Sequence, residues 1–182
     1  MEVFDMSYLI HYGIKGQKWG VRRYENKDGT LTEEGKRRYA ALKTRGDVEK
    51  IFSSFSKEDK RLLDAGENDS EYMSKDAHAY WVAKRFIARE GKTPVAFLDI
   101  IKSQNGEANI AIGTDAKHRG KGYASKVASR GAKWIDQHPD AFTKVNWGAF
   151  KENTASINLA KKNGFVLDRE TKSFATYSKR KE

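Results

Sequence analysis

The chain contains 182 residues, and its 35 lysines and arginines against 25 aspartates and glutamates give it a net charge of +10. This length fits one domain with a short appendage, and 38% hydrophobic with 33% charged residues indicates a small globular core under a highly polar surface. The absence of cysteine excludes disulfides, thiolate catalysis and cysteine-ligated zinc.

No run of about 18 apolar residues is present, and the N-terminus has no apolar stretch long enough for a signal peptide. We therefore expect a cytoplasmic protein with no membrane partner, or one that ends in a virus particle. A net positive charge attracts polyanions such as nucleic acid. Because the basic excess is spread along the chain, the sequence favours a solvated basic surface over a dedicated nucleic-acid interface.

The first 46 residues form a predicted basic module. Their first half is dense in glycine, which opposes a regular element there. A helix is expected after a cap at Thr30 or Thr32, and Gly46 is expected to end the module. The sequence thus predicts an N-terminal module at 1–46 and a main domain at 47–182.

Hydrophobic periodicity and turn residues divide the main domain into elements. In chain order these are one or two short helices within 47–66, strands at about 80–89, 95–101 and 108–114, a helix at 122–137, a strand at 144–150, a helix after Asn153, and short strands at 166–168 and 174–177. Asn105-Gly106 predicts a hairpin before the third strand. The strand–helix–strand step across 108–150 should be a right-handed parallel crossover, so we expect an α/β (α+β) fold.

A glycine-rich turn joins the third strand to the helix that begins near Gly122. It also contains Arg119, Gly120 and Lys121. The first N–H groups of a helix have no internal partner and lie at the positive end of its dipole. Because glycines leave no side chain in the way and two cations stand beside them, this turn is suited to hold a pyrophosphate. Its spacing differs from those of a Walker loop and a Rossmann fingerprint.

Two motifs, in this order, resemble the GNAT superfamily of N-acyltransferases. Arg119-x-x-Gly122-x-Ala124 is similar to that superfamily's acyl-CoA pyrophosphate motif. The second motif, about 30 residues later, is similar to its later helix-and-strand motif and comprises Asn153, Ser156, Leu159, Lys162, Gly164 and Phe165. The resemblance covers roughly residues 76–180.

The resemblance implies a mixed, mostly antiparallel sheet in which two splayed, parallel central strands hold acetyl-CoA between them. In this chain those strands would end near Thr114 and Phe150. The backbone of Ile112 and Thr114 would then pair with the pantetheine arm, and Asn153 would contact the cofactor. The implied pyrophosphate loop consists of Arg119, Gly120, Lys121, Gly122, Tyr123 and Ala124.

The implied reaction is N-acetyl transfer by direct attack of a neutral amine on the acetyl thioester, which positioning promotes. No covalent enzyme intermediate is needed, in agreement with the lack of cysteine. A small molecule, a protein and an aminoacyl-tRNA are all candidate acceptors. The alternative is an inactive protein of the same fold that serves in a phage virion or on nucleic acid.

The chain departs from the family pattern at the general acid. Many members have tyrosine seven residues after the motif asparagine, where this chain has Ala160. Ser156 is the first candidate substitute, ahead of Tyr123 and Tyr177. A hydroxyl in the first turn of a helix is an equally good explanation of Ser156.

Two carboxylates are candidate bases, because Asp99 and Glu107 lie on or beside the predicted central strands. Solvated surface positions are nevertheless the favoured interpretation of both. The four histidines lack metal-ligand spacing, so we expect no metal site. The core is expected to contain Trp81, Trp134 and Trp147.

A second resemblance covers about residues 8–39. The string His11-x-Gly13-Ile14-Lys15-Gly16-x-Lys18-Trp19-Gly20-Val21-Arg22-Arg23-Tyr24 is similar to a module of tailed-phage and prophage proteins, where it is attached to varied partner domains. The resemblance implies a phage structural protein as the partner of this module. A basic flap that packs on the main domain is the alternative.

Overall fold

The computed structural model describes residues 24–63, 82–103 and 105–180. The phage-like string as far as Arg23 and the prediction for Trp81 therefore lie outside the described residues. Each statement below about the fold or the site refers to these three ranges.

The chain divides into two compact units between Lys36 and Arg37. In the described part of the first unit, the Asn26 N–H donates to the carbonyl oxygen of Thr30 at 2.7 Å and closes a turn. The second unit contains the sheet and its flanking helices.

Three helices of the described ranges precede the sheet: α1 (Glu33–Lys43), α2 (Arg45–Phe52) and α3 (Lys57–Leu63). α2 buries Val48, Ile51 and Phe52, as their spacing predicts. Gly46, which was expected to end the N-terminal module, lies in the first turn of α2. Glycine costs a helix only about 1 kcal/mol relative to alanine, which the packing of the apolar face offsets.

Six strands form one sheet in the spatial order β1-β2-β3-β4-β6-β5. Only β3 and β4 are parallel, and every other neighbouring pair is antiparallel. This arrangement confirms the predicted mixed, mostly antiparallel sheet with two parallel central strands. The strands are β1 (Val82–Glu90), β2 (Thr93–Lys102), β3 (Ala108–Thr114), β4 (Lys144–Phe150), β5 (Val166–Glu170) and β6 (Phe174–Arg180).

Two helices cover one face of the sheet. α4 (Tyr123–Gln137) connects β3 to β4, and α5 (Thr154–Lys162) connects β4 to β5. α4 lies so close to β2 that a β-carbon on Gly131 would come within 2.8 Å of Leu98 Cδ2. A larger residue at position 131 would therefore push α4 away from the sheet.

The main core lies between these two helices and the sheet. Trp147 is 1% exposed there, as predicted. Trp134 packs against the edge of this core and is half-buried, and its ring stacks on His138 with the ring centres 4.3 Å apart. None of the helices that the structure describes has the length and apolar content of a membrane span.

A buried ion pair joins the first two strands. Asp99 is fully buried on β2, and its two carboxylate oxygens accept from Arg85 Nε and Nη2 at 2.7 and 2.6 Å. The expectation of a solvated position for Asp99 is therefore wrong. The strand register places Arg85 directly opposite Asp99, and this pairing satisfies a carboxylate within an otherwise apolar strand.

The Asp99→Asn variant is predicted to lose about 3–5 kcal/mol of unfolding free energy, because it leaves Arg85 charged and buried without its anion. Equilibrium urea unfolding measures this loss. The control is Asp136→Asn, whose carboxylate is 60% exposed in an ion pair with Lys179 and should contribute about 0.5 kcal/mol. Equal losses in the two variants would contradict the structural role of the buried pair.

Candidate active site

The sheet opens between its two parallel strands. β3 and β4 pair only at Ala108 with Val145 and at Asn109 with Asn146. Beyond these positions β3 continues to Thr114 with its β2 pairing intact, and nothing on β4 pairs with it. Within the described ranges, the second edge of β3 is therefore unpaired over five residues and can accept another molecule.

Two hydrogen bonds fix which backbone groups of β3 face this opening. The Asp115 N–H donates to Val95 O at 2.8 Å, and at the other end the Ser103 N–H donates to Glu107 O at 2.9 Å. Backbone groups alternate in direction along an antiparallel strand, and the register between these two points is continuous. The N–H and C=O groups of Ile112 and Thr114 therefore point away from β2 and into the opening.

The loop after β3 presents bare backbone at the start of α4. Gly122 is the N-cap residue of α4, and no side chain caps the helix. Gly120 and Gly122 have φ values of 76° and 80°, a region that side chains disfavour, and a β-carbon on either would meet nothing within 4 Å. Among the described residues, no side chain caps the first N–H groups of α4 or fills the space beside the two glycines, as a pyrophosphate site requires.

The two cations of this loop are held by carboxylates from other elements. Arg119 Nη2 lies 2.8 Å from Asp59 Oδ1 on α3, and Lys121 Nζ lies 3.4 Å from Glu90 Oε1 at the end of β1. The hydrogen bond from Arg119 lowers the pKa of Asp59 to about 2. Both cations are therefore present at the loop, and each has a protein anion that a phosphate would have to replace.

Glu90 organises the loop from the side of β1. It accepts a hydrogen bond from the Tyr123 hydroxyl at 2.8 Å, and His118 Nε2 lies 3.0 Å away. The bond from Tyr123, followed by the charge of Lys121, lowers the pKa of Glu90, and the same bond raises the pKa of Tyr123. Tyr123, a candidate proton donor, is thus engaged at the loop.

α3 lies beside the ends of both splayed strands. Arg61 forms an ion pair with Glu152, which follows β4, and its guanidinium lies 4.7 Å from the ring centre of Phe150. On the other side, a β-carbon on Gly113 would come within 2.8 Å of the Phe55 ring. Together with the Arg119–Asp59 pair, these contacts join α3 and the preceding Phe55 to both sides of the opening, namely β3 with its loop and the end of β4.

The second predicted motif caps α5. Asn153 Oδ1 accepts from the Ser156 N–H at 3.1 Å, and Ser156 Oγ accepts from Trp147 Nε1 at 2.9 Å. The Ser156 hydroxyl thus accepts a hydrogen bond from a core side chain and can still donate its own proton. Ala160 is fully buried, and Tyr177 is 6% exposed.

Glu107 directly precedes β3, at the closed end of the opening, and its side chain reaches Asn146 of the last β3–β4 pair. Its Oε2 accepts from Asn146 Nδ2 at 2.8 Å, and Lys144 Nζ lies 3.5 Å from its Oε1. Among the described residues, Asn146 Oδ1 is the single buried side-chain polar atom without a hydrogen-bond partner. The structure therefore brings one partly exposed carboxylate and one unsatisfied acceptor to the base of the opening.

The structure thus groups the predicted backbone and loop residues on one side of the opening and Asn153 with Ser156 after β4. It also adds three residues that sequence reasoning missed: Asp59, Glu90 and Asn146. Asp59 exchanges capping hydrogen bonds with Ser56 at the start of α3, which is a local pattern, but no local pattern relates Asp59 to Arg119. The described residues hold no cluster of three or more His, Cys, Asp or Glu side chains suited to a metal ion.

Comparison with known families identifies the class of protein. Residues 47–165 match the acetyltransferase (GNAT) family, and the chain therefore belongs to that family. Residues 3–26 match a second family, whose function is unknown (DUF7211). The phage-type role of the N-terminal module stays a prediction. No curated protein matches the chain.

Three solved structures illustrate the similarity. A GNAT-family acetyltransferase from Bacillus anthracis is 20% identical with a TM-score of 0.47, over 54% of this chain and 67% of that one. A GNAT-family acetyltransferase from Streptococcus pneumoniae is 14% identical, with a TM-score of 0.47 and coverages of 53% and 65%. The protein yncA of Salmonella typhimurium, solved with acetyl-CoA, is 16% identical, with a TM-score of 0.47 and coverages of 54% and 64%. The chain spans less than two thirds of the last two proteins.

The Asp59–Arg119 pair predicts a pH-dependent contribution to stability. Because the folded-state pKa of Asp59 is depressed, this contribution is present above about pH 4 and is lost as the pH falls through about 2. We expect it to be on the order of 1–2 kcal/mol, after allowing for the screening of the half-exposed Arg119. Asp59→Asn should remove that difference in urea unfolding between pH 5 and pH 2.

The matched control is Glu170→Gln, which removes an exposed carboxylate on β5 and should keep the wild-type difference. A wild-type difference that persists in Asp59→Asn would show that Arg119 is not bound by Asp59 in solution.

Proposed function

We propose that this chain binds acetyl-CoA in the opening between β3 and β4 and transfers its acetyl group to an amine. The observation that carries the proposal is the combination of an unpaired β3 edge with an uncapped, glycine-lined helix start directly after it. An extended amide chain that ends in a pyrophosphate is complementary to both parts, because it needs backbone partners first and an anion site next.

The residues present fit each part of that ligand. The inward N–H and C=O groups of Ile112 and Thr114 would bind the pantetheine amides in the manner of a further strand. The backbone from Gly120 to Ala124 would bind the pyrophosphate, and Arg119 and Lys121 would exchange their carboxylate partners for phosphate oxygens. Asn153, which caps α5, is proposed as a contact on the β4 side.

When bound, acetyl-CoA supplies a thioester whose C–S bond breaks as the acceptor nitrogen bonds to the acetyl carbon. The protein then has to position the amine, accept its proton and shield the thioester from water. Of the two candidate bases, Asp99 is excluded, because both of its oxygens are bound by Arg85 in a buried pair. Glu107 is the better base, since it is hydrogen-bonded to Asn146, beside which the strands separate, and is 32% exposed.

The proton donor to the departing thiolate is proposed to be Ser156. Its Oγ already accepts from Trp147, so its own proton is directed elsewhere. Ala160 supplies no hydroxyl, and Tyr123 is committed to Glu90. The lack of a tyrosine at position 160 favours one alternative function, a protein that binds acetyl-CoA without transferring the acetyl group.

Titration calorimetry with acetyl-CoA tests the cofactor site. Wild-type protein should bind, and Gly122→Glu should abolish binding, because a carboxylate would stand among the N–H groups that receive the phosphates. Gly164→Glu is the matched control, since it adds the same charge at a glycine of similar φ (78°) at the end of α5. Equal affinity in wild type and Gly122→Glu would refute the site.

Isotopically labelled acetyl-CoA, incubated with candidate amines and bacterial extract, identifies the acceptor by mass spectrometry. With that acceptor, Glu107→Gln should lower kcat by about 100-fold and leave the KM for acetyl-CoA unchanged, as the loss of a general base would. Glu170→Gln should retain wild-type kcat. Binding without any labelled product would favour the non-catalytic alternative, and an unaltered kcat in Glu107→Gln would eliminate that residue as the base.

A further inference from the structure

The two helices that connect β3 to β4 and β4 to β5 carry a set of exposed cations. We call this set the basic ridge and define it as Lys126, Arg130 and Lys133 on α4 with Lys161 and Lys162 on α5. The two helices pack on the same core and contact each other. All five ridge side chains are exposed.

The ridge on α4 follows from helical periodicity. Its cations are spaced by four and three residues, so they share one side of the helix. That side lies opposite the buried stripe, which consists of Val127, Ala128, Gly131, Ala132 and Ile135. Over seven residues the α4 part of the ridge rises about 10 Å, so its three cations form a row that can lie along a nucleic-acid phosphate backbone.

Acidic side chains are almost absent from these two helices. Their single carboxylate, Asp136, is bound by Lys179 at 2.7 Å. No ridge residue has an ion-pair partner within the three described ranges. The positive charge of the ridge is therefore uncompensated within the described protein.

The helices on the opposite side of the sheet show that the lack of acidic neighbours is particular to α4 and α5. α2 and α3 carry as many basic residues as α4 and α5, but four acidic residues lie among them. Arg45 there is bound by Glu49, and Arg61 by Glu58. A generally basic composition thus does not by itself produce the ridge.

Aromatic rings hold two of the ridge cations in place. The Arg130 guanidinium lies 5.4 Å from the ring centre of Phe86, and Lys161 Nζ lies 5.7 Å from that of Tyr177. Ordering these side chains in advance reduces the entropy that a ligand must remove on binding.

We propose that the basic ridge binds the phosphodiester backbone of a nucleic acid. A phosphate backbone provides a continuous row of anions for the row of α4 cations, and its binding needs no apolar contact. An anionic membrane is the less suitable partner, because surface-bound helices insert apolar side chains. The large exposed hydrophobic residues of the described ranges are Tyr39, Leu42, Val166 and Leu167, none of which lies on α4 or α5. The proposal does not depend on acetyl transfer.

Fluorescence anisotropy with labelled single- and double-stranded RNA and DNA tests the ridge. The full chain is titrated between about 50 and 200 mM salt, with excess coenzyme A present so that the pyrophosphate loop does not contribute. We expect binding that weakens as salt rises. In the triple variant Lys126→Gln, Arg130→Gln and Lys133→Gln, the log–log salt slope should fall by about 2 to 3, which corresponds to three lost phosphate contacts.

The matched control is the triple variant Lys50→Gln, Lys57→Gln and Lys60→Gln, which removes the same charge from exposed positions on α2 and α3. It should retain nearly the wild-type slope, and circular dichroism should show both variants folded. Equal losses in the two triple variants, no binding of any nucleic acid at the lowest salt, or binding only to anionic vesicles would overturn the proposal. The four nucleic-acid probes separate RNA from DNA.

Discussion

Parallel pairing between β3 and β4 stops after two residue pairs, and the geometry of the candidate site depends on this separation. β3 remains fully bonded to β2, so its direction is fixed, while its other edge has no strand beside it. Unpaired backbone groups in a sheet need a partner. The bonds of Asp115 and Glu107 determine that the groups of Ile112 and Thr114 face the opening. The pantetheine arm of the proposed ligand, a linear chain with two amides, would supply such partners.

In the proposed site, phosphate oxygens would replace the carboxylates that now pair with the two cations of the loop. Arg119 and Lys121 are each bound by a carboxylate from outside the loop, whereas the N–H groups at the start of α4 have no side-chain cap. In the proposed complex the backbone would bind the phosphate first, and Arg119 and Lys121 would follow by giving up Asp59 and Glu90. Asp59 belongs to α3, so this exchange would also loosen the helix that crosses the mouth of the opening.

Local patterns in the sequence predicted the elements, the hairpin at Asn105-Gly106 and the loop around Gly122. The misses concern residues whose partners are distant along the chain. Asp99 was assigned to the surface because its partner, Arg85, is identified only by the strand register. Counting charges along the chain also does not show that Lys126, Arg130 and Lys133 recur with the helical period, and the expectation of a solvated basic surface stays a prediction. The separation of β3 from β4 came from family resemblance, since no local pattern encodes it.

The most direct measurement is the backbone amide NMR spectrum of the labelled protein during titration with coenzyme A. We expect the largest chemical-shift changes at the N–H groups of Ile112 and Thr114 and at those from Gly120 to Ser125. The same N–H groups should exchange their hydrogens more slowly when coenzyme A is bound. Saturable binding that shifts amides elsewhere and leaves these two segments unchanged would contradict the claim that the β3 edge and the start of α4 form the cofactor site.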